Sequence, residues 1–322
     1  MLIAPCKVCG NMEFDLLFNG KDRIHYLPGE FKLYRCRDCG LILVYPQLLD
    51  EELKSYYPDN YYSYENSNNI TPRRSRKEKV AHYLRHPLQA LNCLLYSKIL
   101  GLNRDISVVP GSRILDVGCG DGRYLLEKRT LGCVCYGNDI SEAALSRLKT
   151  SAPEIDVRCG NLWDAGYPEN FFDLINLCNV IEHVRDVSQL LSEARRIVKE
   201  DGLLRIQVPN AASVTFSIFR KYWMPLEAPR HVYAFSSGNL KRLFEITGFE
   251  VVSSRAIEGT FTFVASVLFV LAAVFGKKLE LMRCERIWNS ELLKLVLFPY
   301  SLIVNLFRAG DMVEFVLRKT KT

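Results

Sequence analysis

From Arg113 onward the chain repeats one pattern: a short apolar run, a polar or glycine turn, then a stretch with apolar residues every three or four positions. "RILDV" reads as a buried strand, "GCGDG" as a turn and "RYLLEKRTL" as a helix. The unit recurs as "VCYGND" with "SEAALSRLKT" and as "FDLINLCNV" with "DVSQLLSEARRIVKE", while "IDVRCGN" and "LLRIQVP" supply further strands. Such alternation predicts a Rossmann-like, doubly wound, mostly parallel α/β sheet. "FEVVSSRAI" and "DMVEFVLRK" bring it to seven strands.

Between those last two strands the pattern changes. Gly259 to Phe275 is a run of 17 residues without a charge, and "LVLFPYSLIVNLF" follows after a charged interval, broken by Pro299. As a helix the first run reaches about 26 Å, short of a hydrocarbon core of about 30 Å. With Lys277, Lys278, Lys294 and Arg308 near the ends, the two segments read as an interfacial hairpin on a membrane surface. A dimer or domain interface and ordinary core are the other uses of the same pattern.

The front of the chain follows a different rule. Cys6 and Cys9 form "CKVCG", Cys36 and Cys39 form "CRDCG", and 26 residues separate the pairs around a β-rich stretch. Each unit lets two thiolates meet one ion, with glycine permitting the tight turn behind them. Four soft thiolates favour tetrahedral, structural Zn²⁺. The N-terminus shows neither a basic nor an apolar leader segment, so the eleven cysteines are read in a reducing cytosol. The net charge of +6 is too mild for a dedicated nucleic-acid binder, although "RRSRKEK" concentrates part of it in a linker. The tyrosine-dense run from Tyr56 to Tyr64 suits a lid, a substrate platform or packing between domains. The organisation expected is a zinc ribbon at 1–58, linker and lid helices at 59–110, a core at 111–258, an apolar hairpin at 259–310 and the last strand at 311–322.

Ligands of doubly wound sheets bind beyond the carboxyl ends of the strands, and the candidate residues stand there. Gly118, Gly120 and Gly122 form a G-x-G-x-G turn preceded by Asp116. An acid at that position is poor for a pyrophosphate and good for a ligand with a positive amino group. Asp139 ends the second strand, where a carboxylate accepts both ribose hydroxyls.

"ILDVGCGDG", "GNDIS" and the stretch through "RIQVPN" resemble a class I S-adenosylmethionine (SAM) dependent methyltransferase, and the ribbon followed by "YYPDNYY" resembles a bacterial subgroup that methylates sugars. The resemblance implies that Asp116 orders the loop and the methionine amino group, while Gly118, Cys119, Gly120 and Gly122 bring backbone to the methionine moiety. It further implies that Asp139 holds the ribose, Ile140 packs on adenine, Asn161 and Leu162 meet the adenine edge, and Asn179 lines the methionine near the sulfonium. Asn161 stands where the family often has Asp; its amide still accepts a hydrogen bond but lacks the charge.

Methyl transfer is an in-line displacement, so positioning carries much of the rate, and a base is needed when the acceptor must lose a proton. His183, in "NVIEHVRD", follows the fourth strand with Glu182 beside it. His231, in "EAPRHVYAF", lies in a segment covering the acceptor side and is the first choice of base. Arg230 is read either as a binder of an anionic substrate or as a partner of Glu227. The expected function is methylation of a sugar-type or lipid-linked acceptor in envelope-glycan biosynthesis, by a cytoplasmic enzyme with peripheral contact on the inner membrane face. An RNA methyltransferase with a zinc ribbon and a non-catalytic SAM-fold scaffold are the rival readings.

Overall fold

The computed structural model describes residues 4–57, 84–100, 105–257, 260–276, 278 and 284–320. "RRSRKEK" and most of the tyrosine-dense run lie outside the described residues. The chain opens with an antiparallel meander of β1 (Phe14–Gly20), β2 (Phe31–Cys36) and β3 (Ile42–Tyr45). A single helical turn, α1 (Asp50–Lys54), follows. After α2 (Pro87–Asn92) the main sheet begins with β4 (Arg113–Val117), an apolar strand buried at every position after its first.

The elements then alternate as the periodicity predicts: α3 (Arg123–Arg129), β5 (Val134–Asp139), α4 (Glu142–Ser151), β6 (Asp156–Cys159), β7 (Phe172–Cys178), α5 (Val187–Ile197) and β8 (Val198–Pro209). Local chemistry sets the helix starts, because Ser141 caps α4 by accepting from the Ala144 amide and Asp186 caps α5 by accepting from that of Gln189. One boundary differs from the sequence pattern. The helix expected to run through "RRIVKE" stops at Ile197, because Val198 is extended and pairs with Phe172, which makes β8 a 12-residue strand.

Beyond β8 come α6 (Val214–Phe219), the two-residue strand β9 (Tyr233–Ala234), α7 (Ser237–Ile246) and β10 (Phe249–Ile257). The apolar insertion forms α8 (Thr260–Val274), α9 (Glu285–Trp288) and α10 (Glu291–Leu306), and β11 (Met312–Lys319) closes the fold. The sheet order is β10-β11-β8-β7-β4-β5-β6, parallel except for β11, which is antiparallel to both neighbours. The strand order reverses at β4, which pairs with β5 on one side and β7 on the other. A crevice for ligands opens at such a reversal.

Two results were not visible in the pattern. The ribbon meander gains a fourth strand from the distant segment "HVYAF", with Ile42 opposite Ala234 and Leu43 opposite Tyr233. Cys6, Val8, Leu41 and Leu43 also join the main hydrophobic core, so ribbon and sheet share one interior. Pro299, expected to break the second apolar segment, lies inside a continuous α10. Contacts near its first turn hold that helix: Asn92 donates to the Glu291 carboxylate at 2.6 Å and the Tyr96 hydroxyl donates to the Lys294 carbonyl at 2.7 Å. Among the described residues no helix is long and apolar enough to cross a membrane.

Candidate functional site

The turn after β4 holds its shape through glycine geometry. Gly118, Gly120 and Gly122 all have positive φ, and a Cβ at Gly118 would stand 2.8 Å from Val180. Asp139, at the end of β5, clamps this turn: one carboxylate oxygen accepts from the Gly120 amide and the other from the Ser141 amide, both at 2.8 Å. Each oxygen keeps a further lone pair for a ligand hydroxyl. Asp116 is buried, and among the described residues it accepts one hydrogen bond, from the Asn176 amide at 2.7 Å. Desolvation raises its pKa to about 7, against the lowering effect of Asn176 and with help from nearby Asp139.

The other residues implied for the methyl donor surround this turn. Ile140 is 58% exposed, which leaves an apolar surface beside the Asp139 carboxylate. Cys119 is buried, and desolvation pushes its thiol far above the usual range, so it serves as packing and not as a nucleophile. Asn161 is exposed and donates to Asp164 at 3.0 Å. The Leu162 side chain is buried in the main core, which leaves its backbone to meet a ligand. Asn179 is exposed just past β7 and adopts φ +54°.

Glu182, His183 and His231 come together at the same edge of the sheet. The two imidazoles meet edge to face with centroids 4.4 Å apart, and one ligating atom from each of the three residues lies within 4.8 Å of the others. His183 Nδ1 stands 3.1 Å from the Arg230 carbonyl and 3.0 Å from the Tyr57 hydroxyl, while His231 Nδ1 stands 2.7 Å from the Pro225 carbonyl. A carbonyl can only accept, so both rings carry their proton on Nδ1 and keep a lone pair on Nε2. Desolvation lowers both imidazoles to about 3 and raises Glu182 to about 8. Among the described residues neither carboxylate oxygen of Glu182 has a hydrogen-bonding partner.

The segment carrying His231 is pinned from two sides. Val232 and Tyr233 donate their amides to the Glu182 carbonyl, and the Val44 amide of β3 donates to the Val232 carbonyl. Arg230 is fully buried in a two-point pair with Asp22 of the β1–β2 loop, at 2.9 and 3.0 Å, and it also meets Glu227 at 3.4 Å. Its guanidinium is committed to these groups, so of the two readings of Arg230 the pairing with Glu227 is observed, joined by Asp22, and the binding of an anionic substrate is not. The motif gave no warning of Asp22, because that contact joins residues 208 positions apart.

At the front, the four cysteines converge as the doubled C-x-x-C-G spacing requires. Cys6 and Cys39 sulfurs are 3.5 Å apart, those of Cys9 and Cys36 are 3.4 Å apart, and all four are free thiols. Gly10 and Gly40 turn the backbone with φ +76° and +74°. A set of four thiols this close fits one tetrahedral soft cation such as zinc. Desolvation raises the Cys9 thiol to about 11, a penalty on the thiolate that a bound cation would relieve.

A family described as a methyltransferase domain matches residues 80–254, which is 175 of the 322 residues. The chain belongs to this methyltransferase family. Its sheet order, with the reversal at β4 and the single antiparallel strand β11, is the class I methyltransferase arrangement. A protein of Mycolicibacterium smegmatis named as a probable S-adenosylmethionine-dependent methyltransferase is 32% identical over 147 residues, covering 46% of this chain and 55% of its own length. A ubiquinone biosynthesis O-methyltransferase of Bradyrhizobium diazoefficiens is 29% identical over 119 residues, covering 36% of this chain and 47% of its own. The chain thus spans about half the length of these two curated relatives. The crystal structure of a SAM dependent methyltransferase from Archaeoglobus fulgidus is 16% identical, with a TM-score of 0.44, over 76% of this chain and all of that one.

In this chain, the residues that sequence reasoning missed are the ones that hold others in place. Asn176 and Asn138 are buried amides within strands, behind the glycine turn; Asn138 donates to the Arg158 and Gly160 carbonyls and accepts from the Gly118 amide through its own carbonyl. Polar residues inside the apolar runs "FDLINLC" and "VCYGND" were the available signal. Tyr57, on His183, had no signal beyond its place in a tyrosine-dense run.

Proposed function

We propose that this chain transfers the methyl group of SAM to a small acceptor of sugar type or lipid-linked type that must lose a proton. The observation that carries the reading is the convergence of Glu182, His183 and His231 just past β7, at the sheet edge that also holds Asp116 and Asp139. Asp116 would meet the methionine ammonium, Asp139 the ribose and Ile140 the adenine. The trio would handle the acceptor's proton, with His231 as the leading base. The likeness to an O-methyltransferase supports oxygen as the receiving atom. Zinc at Cys6, Cys9, Cys36 and Cys39 would hold the ribbon, and through β9 the ribbon would hold His231. The exposed apolar side chains of the insertion, Val274, Phe275, Leu306 and Phe307 among them, suit contact with a membrane surface.

The test is incubation with methyl-labelled SAM and fractionated cell extract. Label is expected in nucleotide sugars, glycan precursors or lipids; label confined to RNA would overturn the reading. His231→Ala should lower transfer by roughly 10²–10⁴-fold while leaving SAM affinity nearly intact. An equal loss of SAM affinity would make His231 structural.

A further inference from the structure

Glu182, His183 and His231 each bring one ligating atom within 4.8 Å of the others, and among the described residues no donor answers the Glu182 carboxylate. Each histidine spends its N–H on a backbone carbonyl, Arg230 for one and Pro225 for the other. Each therefore turns a bare nitrogen lone pair elsewhere. Glu182 is 1% exposed with both oxygens unpartnered, a condition that buried carboxyl groups rarely tolerate. A cation meets all three at once.

We propose that Glu182, His183 and His231 form a binding site for a divalent transition cation. Two imidazoles and one carboxylate select zinc, cobalt or iron over magnesium or calcium, which prefer oxygen-only shells. Histidines that ligate metals usually donate their other nitrogen to a carbonyl or carboxylate, as both do here, and this fixes ring orientation and tautomer. Three protein ligands leave a coordination position open, the mark of sites that engage a small molecule. In a part of the inference that rests on the proposed methyl transfer, that position takes the acceptor hydroxyl. The ion would lower the hydroxyl's pKa so that its proton passes to solvent water, the oxygen would take the methyl as the C–S bond of the sulfonium breaks to leave a neutral thioether, and the imidazoles would serve as ligands, which replaces the direct base role given to His231 above.

The site is separable from the cysteine cluster by its donor atoms. Full-length protein with its ribbon zinc in place is titrated with Co²⁺. The expected result is about two metal ions per chain, the second giving weak ligand-field bands without the intense thiolate charge-transfer absorption of a four-cysteine site. Glu182→Gln, His183→Gln and His231→Gln should each weaken the second ion by about 10-fold or more while leaving the ribbon ion in place. A wild-type protein that stops at one ion overturns the proposal, and so does a second ion that survives all three substitutions. Should a variant misfold, X-ray absorption on the wild-type second ion decides: an imidazole-rich shell supports the site and a sulfur or all-oxygen shell overturns it. Ion binding without label transfer would leave this site standing and defeat the methyl-transfer reading, whereas transfer without a second ion would do the reverse.

Discussion

Asp116 and Asp139 are the same residue type at the ends of adjacent strands, yet their surroundings give them different tasks. Two backbone amides hold the Asp139 carboxylate, whereas Asp116 has one neutral amide and a buried setting that favours its protonated form. The folded protein therefore keeps a proton on Asp116 between pH 3.8 and about 7 that the unfolded chain releases. The stability this contributes is fully present below pH 3.8 and is lost as pH rises to about 7, with a slope of up to about 1.4 kcal/mol per pH unit. Asp116→Asn should remove that slope in urea unfolding across pH 4–7. A ligand ammonium reverses the preference by pairing with the carboxylate, so wild-type SAM affinity should rise through pH 7 and that of Asp116→Asn should not. A pH-independent wild-type affinity would mean that Asp116 does not face the ammonium.

Among the elements, the short strand β9 decides most. It continues the ribbon sheet, and the residues just before it carry Arg230 and His231. The buried Arg230–Asp22 pair crosses from the ribbon's β1–β2 loop to this segment, so the ribbon positions a candidate catalytic group about 190 residues downstream of Cys39. Asp22→Ala takes the two-point partner from the buried Arg230 and leaves the longer Glu227 contact, and it should destabilise the fold by roughly 3–5 kcal/mol in denaturant unfolding. Arg230→Met leaves the buried Asp22 and Glu227 carboxylates without their cation and should cost at least as much. If both substitutions are equally mild, the pair does not hold the segment. The sequence placed β4 to β8, β10 and β11 because each carries its own apolar run. It did not place β9, since two residues have no period and gain their strand character from β3.

For the whole molecule, the apolar insertion sets the remaining question of where the protein works. One side of α8 is buried against Ile24 and Met224, whereas Leu271, Val274 and Phe275 near its end and Leu306 and Phe307 near that of α10 remain exposed. Leu306→Asp with Phe307→Asp should abolish pelleting with anionic vesicles while shifting stability by less than about 0.5 kcal/mol, because both side chains lie on the surface. Vesicle binding equal to wild type would remove the membrane reading, and loss of self-association in sedimentation would point to a second copy of the chain instead. The alternating sheet, the glycine turn, the acids at two strand ends and the paired cysteine knuckles were legible in the linear chain, because each depends on residues close in sequence or on a repeated spacing. The commitment of Arg230 to Asp22, the joining of the ribbon to the methyltransferase core and the convergence of Glu182 and His183 with His231 were decided by the tertiary structure. These are contacts across 47 to 208 residues, and long-range packing, not local pattern, brings such groups together.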